Sequence, residues 1–155
     1  MPHMMTNNLF LFFFCTALLV TFITDYLYLL IYRPATIFLI PIFLIGAHLS
    51  LTPITLYESL LSVIVGYGFL WVFKTGYAAF RGIDGIGQGD LELLAMVGSY
   101  LGYMGVFYTV TFGSVIGTLC ALALILFKKA DAQTALPFGS FLAIGSLIYL
   151  FIGAI

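Results

Sequence analysis

Charged residues divide this chain of 155 residues into apolar segments that are long enough to cross a lipid bilayer. A helix rises about 1.5 Å per residue, so about 20 apolar residues span a hydrocarbon core of roughly 30 Å. Only 7% of the residues are charged and 63% are hydrophobic, which excludes the surface of a soluble globular protein. The pattern predicts an all-α, polytopic integral membrane protein with a single transmembrane domain over residues 1–155. Its six transmembrane helices are expected at Leu9–Tyr32, Ala35–Ser50, Ile54–Phe73, Leu91–Tyr108, Thr109–Phe127 and Leu136–Ile155.

Proline and basic residues mark the expected ends of these helices. Arg33-Pro34 is expected to end the first helix, because proline disfavours the helical conformation of the residue before it. Lys74 is expected to close the third. Gly98 with Gly102, and Gly113 with Gly117, have the small-x-x-x-small spacing that lets membrane helices approach closely. The alternative is that these glycines are simply common in membrane helices.

The basic residues predict the orientation of the chain in the membrane. They follow the first, third and fifth segments and are absent from the alternate connections: Arg33, Lys74, Arg81, Lys128 and Lys129. The positive-inside rule therefore puts these three connections in the cytoplasm and both termini outside it. Five basic residues are too few to neutralise a nucleic-acid backbone, so no nucleic-acid partner is expected.

Two aspartates have unusual surroundings. Asp25 lies inside an apolar segment, where an ionised group is costly and is usually functional. Asp90 follows the glycine-rich start of the stretch Gly85–Ala95, whose glycines can adopt positive φ, and a helix is expected to begin at Leu91. The orientation puts both acids at the cytoplasmic side. The competing interpretation of Asp90 is a helix N-cap.

These residues resemble the bacterial type IV prepilin peptidases, intramembrane aspartyl proteases with a Gly-x-Gly-Asp motif. The similarity is carried by Gly87-Gln88-Gly89-Asp90, followed by Leu93-Leu94-Ala95 and Gly98-Ser99-Tyr100-Leu101-Gly102, and by Leu136-Pro137-Phe138-Gly139-Ser140-Phe141-Leu142-Ala143. Asp25 occupies the position of the family's first catalytic aspartate.

The resemblance implies a protease of the inner, or plasma, membrane that removes the cytoplasmic leader of prepilin-like or pseudopilin-like substrates of type IV pilus or type II secretion systems. Asp25 and Asp90 would be catalytic, and Gly87 and Gly89 would let the backbone approach an extended substrate. Two carboxylates in a confined apolar site resist joint ionisation, so one would act as base and the other as acid. No metal or organic cofactor is needed, and besides its substrates the protein would contact the lipid bilayer.

Three departures from the family pattern bear on this interpretation. The family commonly has a lysine two residues after the second aspartate, where this chain has Glu92. The segment after Asp25 is usually acidic and polar and ends in Ile-Pro-Asn or Leu-Pro-Asp, whereas here it is the apolar stretch Tyr26–Pro34. Long members also carry an amino-terminal segment with paired cysteines that is associated with methylation. This chain resembles a short form without it, so a methyltransferase would be a separate protein.

Two other functions fit parts of the pattern. A catalytically silent relative could act as a membrane assembly partner, and Glu92 is the residue that favours it. A small transporter would also keep two intramembrane acids, although it would be expected to spread them across the membrane depth. Helical geometry predicts that Glu92 points away from Asp90, where it could reach Arg81 or Lys74. The rival hypothesis is that Glu92 crowds the site, raises the proton affinity of the two aspartates and silences the enzyme at neutral pH.

Overall fold

The computed structural model describes residues 8–82, 86–127 and 136–153, apart from the side chain of Arg81. Gly85, Lys128, Lys129 and both termini, which enter the predictions above, lie outside these ranges. All regular secondary structure in the described ranges is helical, which confirms the all-α prediction there. The helices are α1 Asn8–Tyr28, α2 Arg33–His48, α3 Leu56–Arg81, α4 Gln88–Leu126 and α5 Phe138–Gly153.

Three of these helices are long and apolar enough to cross a membrane by length and composition. The candidate spans are Asn8–Tyr28, Leu56–Phe80 and Gln88–Leu126, whereas α2 and α5 are shorter apolar helices. The described residues therefore do not form six separate helices of membrane-spanning length. The number of six transmembrane helices stays a prediction.

The connection between α1 and α2 differs from the predicted one. Helix α1 ends at Tyr28 instead of Tyr32, and Leu29 has a positive φ of 53°. Arg33-Pro34 opens α2 instead of closing the first helix. Proline suits this place because the first turn of a helix needs no backbone donor there. Residues 29–32 are consequently a short link rather than helix.

Helix α3 extends further than the sequence predicts. Thr55 caps its start, and the Thr55 hydroxyl accepts a hydrogen bond from the Glu58 backbone N at 3.3 Å. Lys74 lies inside the helix and does not end it. The helix ends at Gly82, whose φ of 69° favours glycine. A single lysine has high helix propensity, so it is a weak stop signal.

Gly102 breaks α4 into two halves, 88–101 and 103–126. Its φ of 77° and ψ of −179° are not helical. A Cβ added to Gly98 would lie only 3.0 Å from Val106 Cγ2, although eight residues of straight helix rise about 12 Å. The chain therefore turns back at Gly102, earlier than the predicted boundary between Tyr108 and Thr109. No proline or charge marks this turn.

The first half of α4 is the centre of the protein. Every residue from Leu91 to Tyr100 is buried. Gly66 of α3 packs against the backbone of Leu94, where an added Cβ would lie 2.6 Å from the carbonyl oxygen, and Gly98 packs against the Ser62 carbonyl. Side chains from the neighbouring helices close the core around this half of α4. Asp90 and Glu92 thus lie at one end of the most buried stretch of the chain.

The second half of α4 packs against α5 in the same way. An added Cβ on Gly145 would lie 2.5 Å from the Thr109 carbonyl oxygen, and one on Gly113 would lie 3.0 Å from the Phe141 carbonyl oxygen. Gly98 and Gly113, both predicted to allow close helix packing, are therefore at such contacts. The start of α5 also contacts the last turns of α1, where Ser140 Oγ lies 3.2 Å from the Phe22 carbonyl oxygen.

Candidate active site

Asp25 is held by the first turn of α5. It lies in the last turn of α1 and is only 5% exposed. Its Oδ2 accepts hydrogen bonds from the Ser140 backbone N at 2.6 Å and from Ser140 Oγ at 3.2 Å. The first backbone N–H groups of a helix have no partner within the helix and attract a carboxylate. The start of α5 therefore fixes the position of Asp25.

Asp90 is the third residue of α4 and is not its N-cap. The helix begins at Gln88 instead of Leu91, with Gly87 as the N-cap, so the capping interpretation of Asp90 is wrong. Asp90 is 7% exposed, and its Oδ1 is buried without a hydrogen-bond partner among the described residues. A buried polar atom without a partner is costly in a folded protein and calls for an explanation.

Gly139 reveals how close the two carboxyl groups are. A Cβ added to Gly139 would lie 3.1 Å from Asp25 Oδ2 and 3.1 Å from Asp90 Oδ1. The two oxygens are therefore no farther apart than twice this distance. Because Gly139 has no side chain, a small space bordered by both carboxyl groups remains beside its Cα, and we call this space the gap. The structure thus places Asp25 and Asp90 together at one site.

The two glycines of the motif have different surroundings. Gly87 is exposed, with a φ of −65° that any residue can adopt, and an added Cβ would lie 3.2 Å from Asp90 Oδ2. Gly89 is buried, and an added Cβ would lie 2.7 Å from Ile31 Cβ. Neither glycine has a positive φ. Their small size, and not their backbone freedom, is what the site uses.

Ile31 covers the gap bordered by the two carboxyl groups. Its side chain lies against Gly89 on α4, and its Cδ1 lies 2.6 Å from the position of a Cβ on Gly139. It comes from the link between α1 and α2, a segment whose other side chains are exposed. The described residues therefore close the site with an apolar side chain.

Glu92 pairs with Arg33. Arg33 Nε lies 2.9 Å from Glu92 Oε2, and Arg33 Nη2 lies 2.5 Å from Glu92 Oε1. The prediction of Lys74 as its partner is therefore wrong. The other predicted partner, Arg81, has a side chain outside the described residues. Arg33 and Glu92 are 59 residues apart in the sequence, so no local pattern indicates that they pair. The pair neutralises the acid that departs from the family pattern.

The site consists of carboxyl, hydroxyl and backbone groups. Within residues 8–82, 86–127 and 136–153, no group of three or more His, Cys, Asp and Glu residues is placed to hold a metal ion.

Comparison with known proteins places the chain in a family. The model of the type IV leader peptidase family matches residues 12–122, which is most of the chain. The chain belongs to this family. The matched residues contain Asp25 and Asp90, whereas Gly139 and Ser140 lie beyond them. Membership of the family and the apolar helices together indicate an inner-membrane protein.

Several curated relatives in this family have the same name. The chain is 37% identical over 99 residues to the prepilin leader peptidase/N-methyltransferase of Burkholderia pseudomallei, covering 64% of this chain and 32% of the relative. It is 33% identical over 99 residues to that of Stutzerimonas stutzeri, covering 64% and 34%. It is 32% identical over 110 residues to that of Pseudomonas aeruginosa, covering 71% and 38%. The chain therefore spans about a third of each relative. No solved structure matches it.

The structure adds four residues to the site that the sequence analysis does not assign to it. Gly139 and Ser140 lie in the stretch that resembles the family's closing segment, so their presence could have been suspected from that similarity. Ile31 and Arg33 lie in a stretch that departs from the family pattern; the sequence marks Arg33 only as a basic residue on the same side of the membrane as Asp90, and it does not mark Ile31.

Proposed function

We propose that this protein is an intramembrane aspartyl endopeptidase that removes the cytoplasmic leader of prepilin-like or pseudopilin-like proteins of type IV pilus or type II secretion systems. One observation carries the proposal: Asp25 and Asp90, both buried, reach the same gap beside Gly139. Membership of the type IV leader peptidase family supports the choice of substrate. We assign Asp25 and Asp90 as the catalytic residues.

The hydrogen bonds at the site support a division of labour between the two acids. Asp25 accepts a hydrogen bond from the Ser140 backbone N–H at 2.6 Å, which suits a carboxylate. The Ser140 hydroxyl has one proton to donate and lies 3.2 Å from both Asp25 Oδ2 and the Phe22 carbonyl oxygen. Asp90 Oδ1 has no donor among the described residues, which suits a neutral carboxyl group. Two acids at short range in an apolar site share one proton. Asp25 is therefore assigned as the base and Asp90 as the acid.

The reaction needs only water and these two groups. Asp25 takes a proton from a water molecule while the water oxygen bonds to the scissile carbonyl carbon. At the same time Asp90 gives its proton to the carbonyl oxygen. The tetrahedral intermediate then collapses: the C–N bond breaks, and the amine takes a proton that Asp25 received. One hydroxyl group of the intermediate returns its proton to Asp90 as the carbonyl forms again. Both acids thereby regain the protonation states with which they began.

The glycines have separate roles in this proposal. Gly87 is exposed beside Asp90, so an extended substrate backbone can approach there without meeting a side chain. Gly89 is covered by Ile31 and reaches the substrate only when Ile31 moves. A helical peptide bond is shielded by its own hydrogen bonds, so the substrate has to unwind before cleavage.

The charge at Glu92 does not favour a catalytically silent relative. An unpaired acid next to the site would raise the cost of ionising a second one. Glu92 instead forms a bidentate pair with Arg33. The proposal also keeps the predicted orientation, with both termini outside the cytoplasm and the site at the cytoplasmic side, where a leader would be presented.

A reconstituted cleavage assay tests the proposal. The purified protein, in detergent or lipid vesicles, is mixed with prepilin-like proteins encoded in the same genome, and the products are separated and sequenced at their new amino termini. We expect one cut that releases the leader. Glu58→Gln is the matched control because Glu58 lies near Gly102, at the other end of this half of α4, and it should cleave like the parent. Absence of cleavage, while the Pseudomonas aeruginosa relative cleaves its own substrate in the same vesicles, would contradict the proposal.

A further inference from the structure

We propose that Arg33 and Glu92 are positioning residues whose ion pair seats Ile31 between Gly89 and Gly139, against the two carboxyl groups. The pair joins the start of α2 to the first turn of α4, beside Asp90. It acts on the site through Ile31 and does not touch the reacting atoms. The kinetic part of this inference rests on the proposed function, whereas the structural part does not.

The ion pair is anchored on the α4 side. Glu92 is only 8% exposed in its side chain, whereas Arg33 is 55% exposed. Both carboxylate oxygens of Glu92 accept hydrogen bonds from the guanidinium group, through Nε and Nη2. Such a fork fixes direction as well as distance, which a single charge contact does not. The buried acid therefore holds the exposed arginine, and with it the first residue of α2.

The link that carries Ile31 is otherwise held by backbone hydrogen bonds at its two ends, from the Leu29 N–H to the Asp25 carbonyl at 2.8 Å and from the Ala35 N–H to the Tyr32 carbonyl at 3.1 Å. Leu29, Leu30 and Tyr32 are 49%, 68% and 58% exposed, so Ile31 is the side chain of the link that packs inward. Leu29 has a φ of 53°, an uncommon conformation for a residue with a side chain, which persists only when its surroundings enforce it. Ile31 is two residues before Arg33. Holding Arg33 thus limits where Ile31 can go.

The place of Ile31 ties this restraint to the chemistry. Its side chain fits between two positions that have no Cβ, Gly89 and Gly139, and its tip adjoins the gap shared by Asp25 and Asp90. An apolar side chain there keeps bulk water from the acids and forms a wall beside the peptide bond to be cut. If Ile31 were displaced, both carboxyl groups would be exposed to bulk water. They would then lose the dry surroundings that proton sharing requires.

Cysteine labelling tests the seating of Ile31 without any cleavage. In a protein with Cys15 and Cys120 changed to alanine, Ile31→Cys is expected to react slowly with a water-soluble maleimide. Adding Glu92→Gln should speed the reaction about tenfold, the factor expected for one lost charge-assisted hydrogen bond. The charge-swapped double variant Arg33→Glu/Glu92→Arg should slow it again. Leu30→Cys, which is exposed, should react equally fast in every background.

Each outcome of the labelling decides the question. Unchanged labelling of Ile31→Cys in folded Glu92→Gln, or a charge-swapped variant as reactive as Glu92→Gln, would overturn the proposal. If Glu92→Gln does not fold, Arg33→Lys replaces it, because lysine keeps the charge but not the fork. Arg33→Lys should then label faster than the parent, and equal labelling would overturn the proposal.

Cleavage kinetics separate this inference from the proposed function. Glu92→Gln should lower kcat/KM about tenfold, and the charge swap should restore most of it. Lys74→Gln, which removes a charge outside the pair, is the matched control. A parent protein that cleaves nothing but follows the labelling pattern would refute the proposed function and leave the positioning role standing. Normal cleavage by Glu92→Gln would refute the positioning role alone.

Discussion

Substitution of Gly139 by alanine should slow catalysis about a hundredfold while leaving the protein folded. The new Cβ would lie 3.1 Å from an oxygen of Asp25, 3.1 Å from an oxygen of Asp90 and 2.6 Å from Ile31 Cδ1. The tip of Ile31 can rotate away, but a methyl group this close to both acids fills the gap in which, on the proposed mechanism, water attacks.

The expected effects on stability and on rate have separate causes. Added volume at a packed site costs about 1–3 kcal/mol, and alanine in place of glycine in a helix returns up to about 1 kcal/mol. The free energy of unfolding should therefore fall by about 0–3 kcal/mol. A misplacement of about 1 Å at the reacting groups costs about a hundredfold in rate. A hundredfold loss of kcat/KM corresponds to about 2.7 kcal/mol of lost transition-state stabilisation, and it should be measured on protein that is still folded.

The assay for this prediction compares Gly139→Ala with Gly68→Ala. Gly68 lies inside α3, and a Cβ added there would meet no atom within 4 Å. Gly68→Ala should cleave like the parent and gain about 0.5–1 kcal/mol in stability. Prepilin cleavage and thermal unfolding are measured on the same preparations. Cleavage by Gly139→Ala at the rate of the parent would show that the gap beside Gly139 is not where the reaction occurs.

Other substitutions test the packing, the hold on Asp25 and the orientation. Gly98→Ala would press a methyl group on the Ser62 backbone, which cannot rotate away, so thermal unfolding should show a loss of about 1–3 kcal/mol. Ser140→Ala removes the hydroxyl donor to Asp25 but keeps the backbone N–H, so kcat/KM should fall less than about tenfold. A larger loss would mean that the hydroxyl has a role in the reaction itself. A reporter fused near Thr52 should be external, and a cytoplasmic reading would contradict the orientation.

The sequence is sufficient to identify the two acids of the candidate site. An aspartate in an apolar segment, such as Asp25, stands out because membrane helices rarely tolerate one without a use. Asp90 is marked by the glycines before it. Their proximity followed from the predicted orientation, which puts both acids at one side of the membrane.

The features that the sequence analysis missed depend on contacts between distant parts of the chain. Arg33 finds Glu92 across 59 residues, so no local pattern could have favoured it over Lys74. The turn at Gly102 requires a positive φ, and that glycine looks like the other glycines of its segment. The start of α4 at Gln88 was hidden by the adjacent glycines, which are poor helix formers on their own. Tertiary packing decides all three.

The shared role of Asp25 and Asp90 is tested most directly by cleavage with Asp25→Asn, Asp90→Asn and the double variant in one detergent preparation. Asparagine keeps the size of the side chain but cannot share a proton, so each single variant should lose nearly all cleavage while thermal unfolding shows that it is folded. Groups that act as a unit are not additive, so the double variant should be no slower than either single variant. Cleavage at the rate of the parent by either folded single variant would contradict the account.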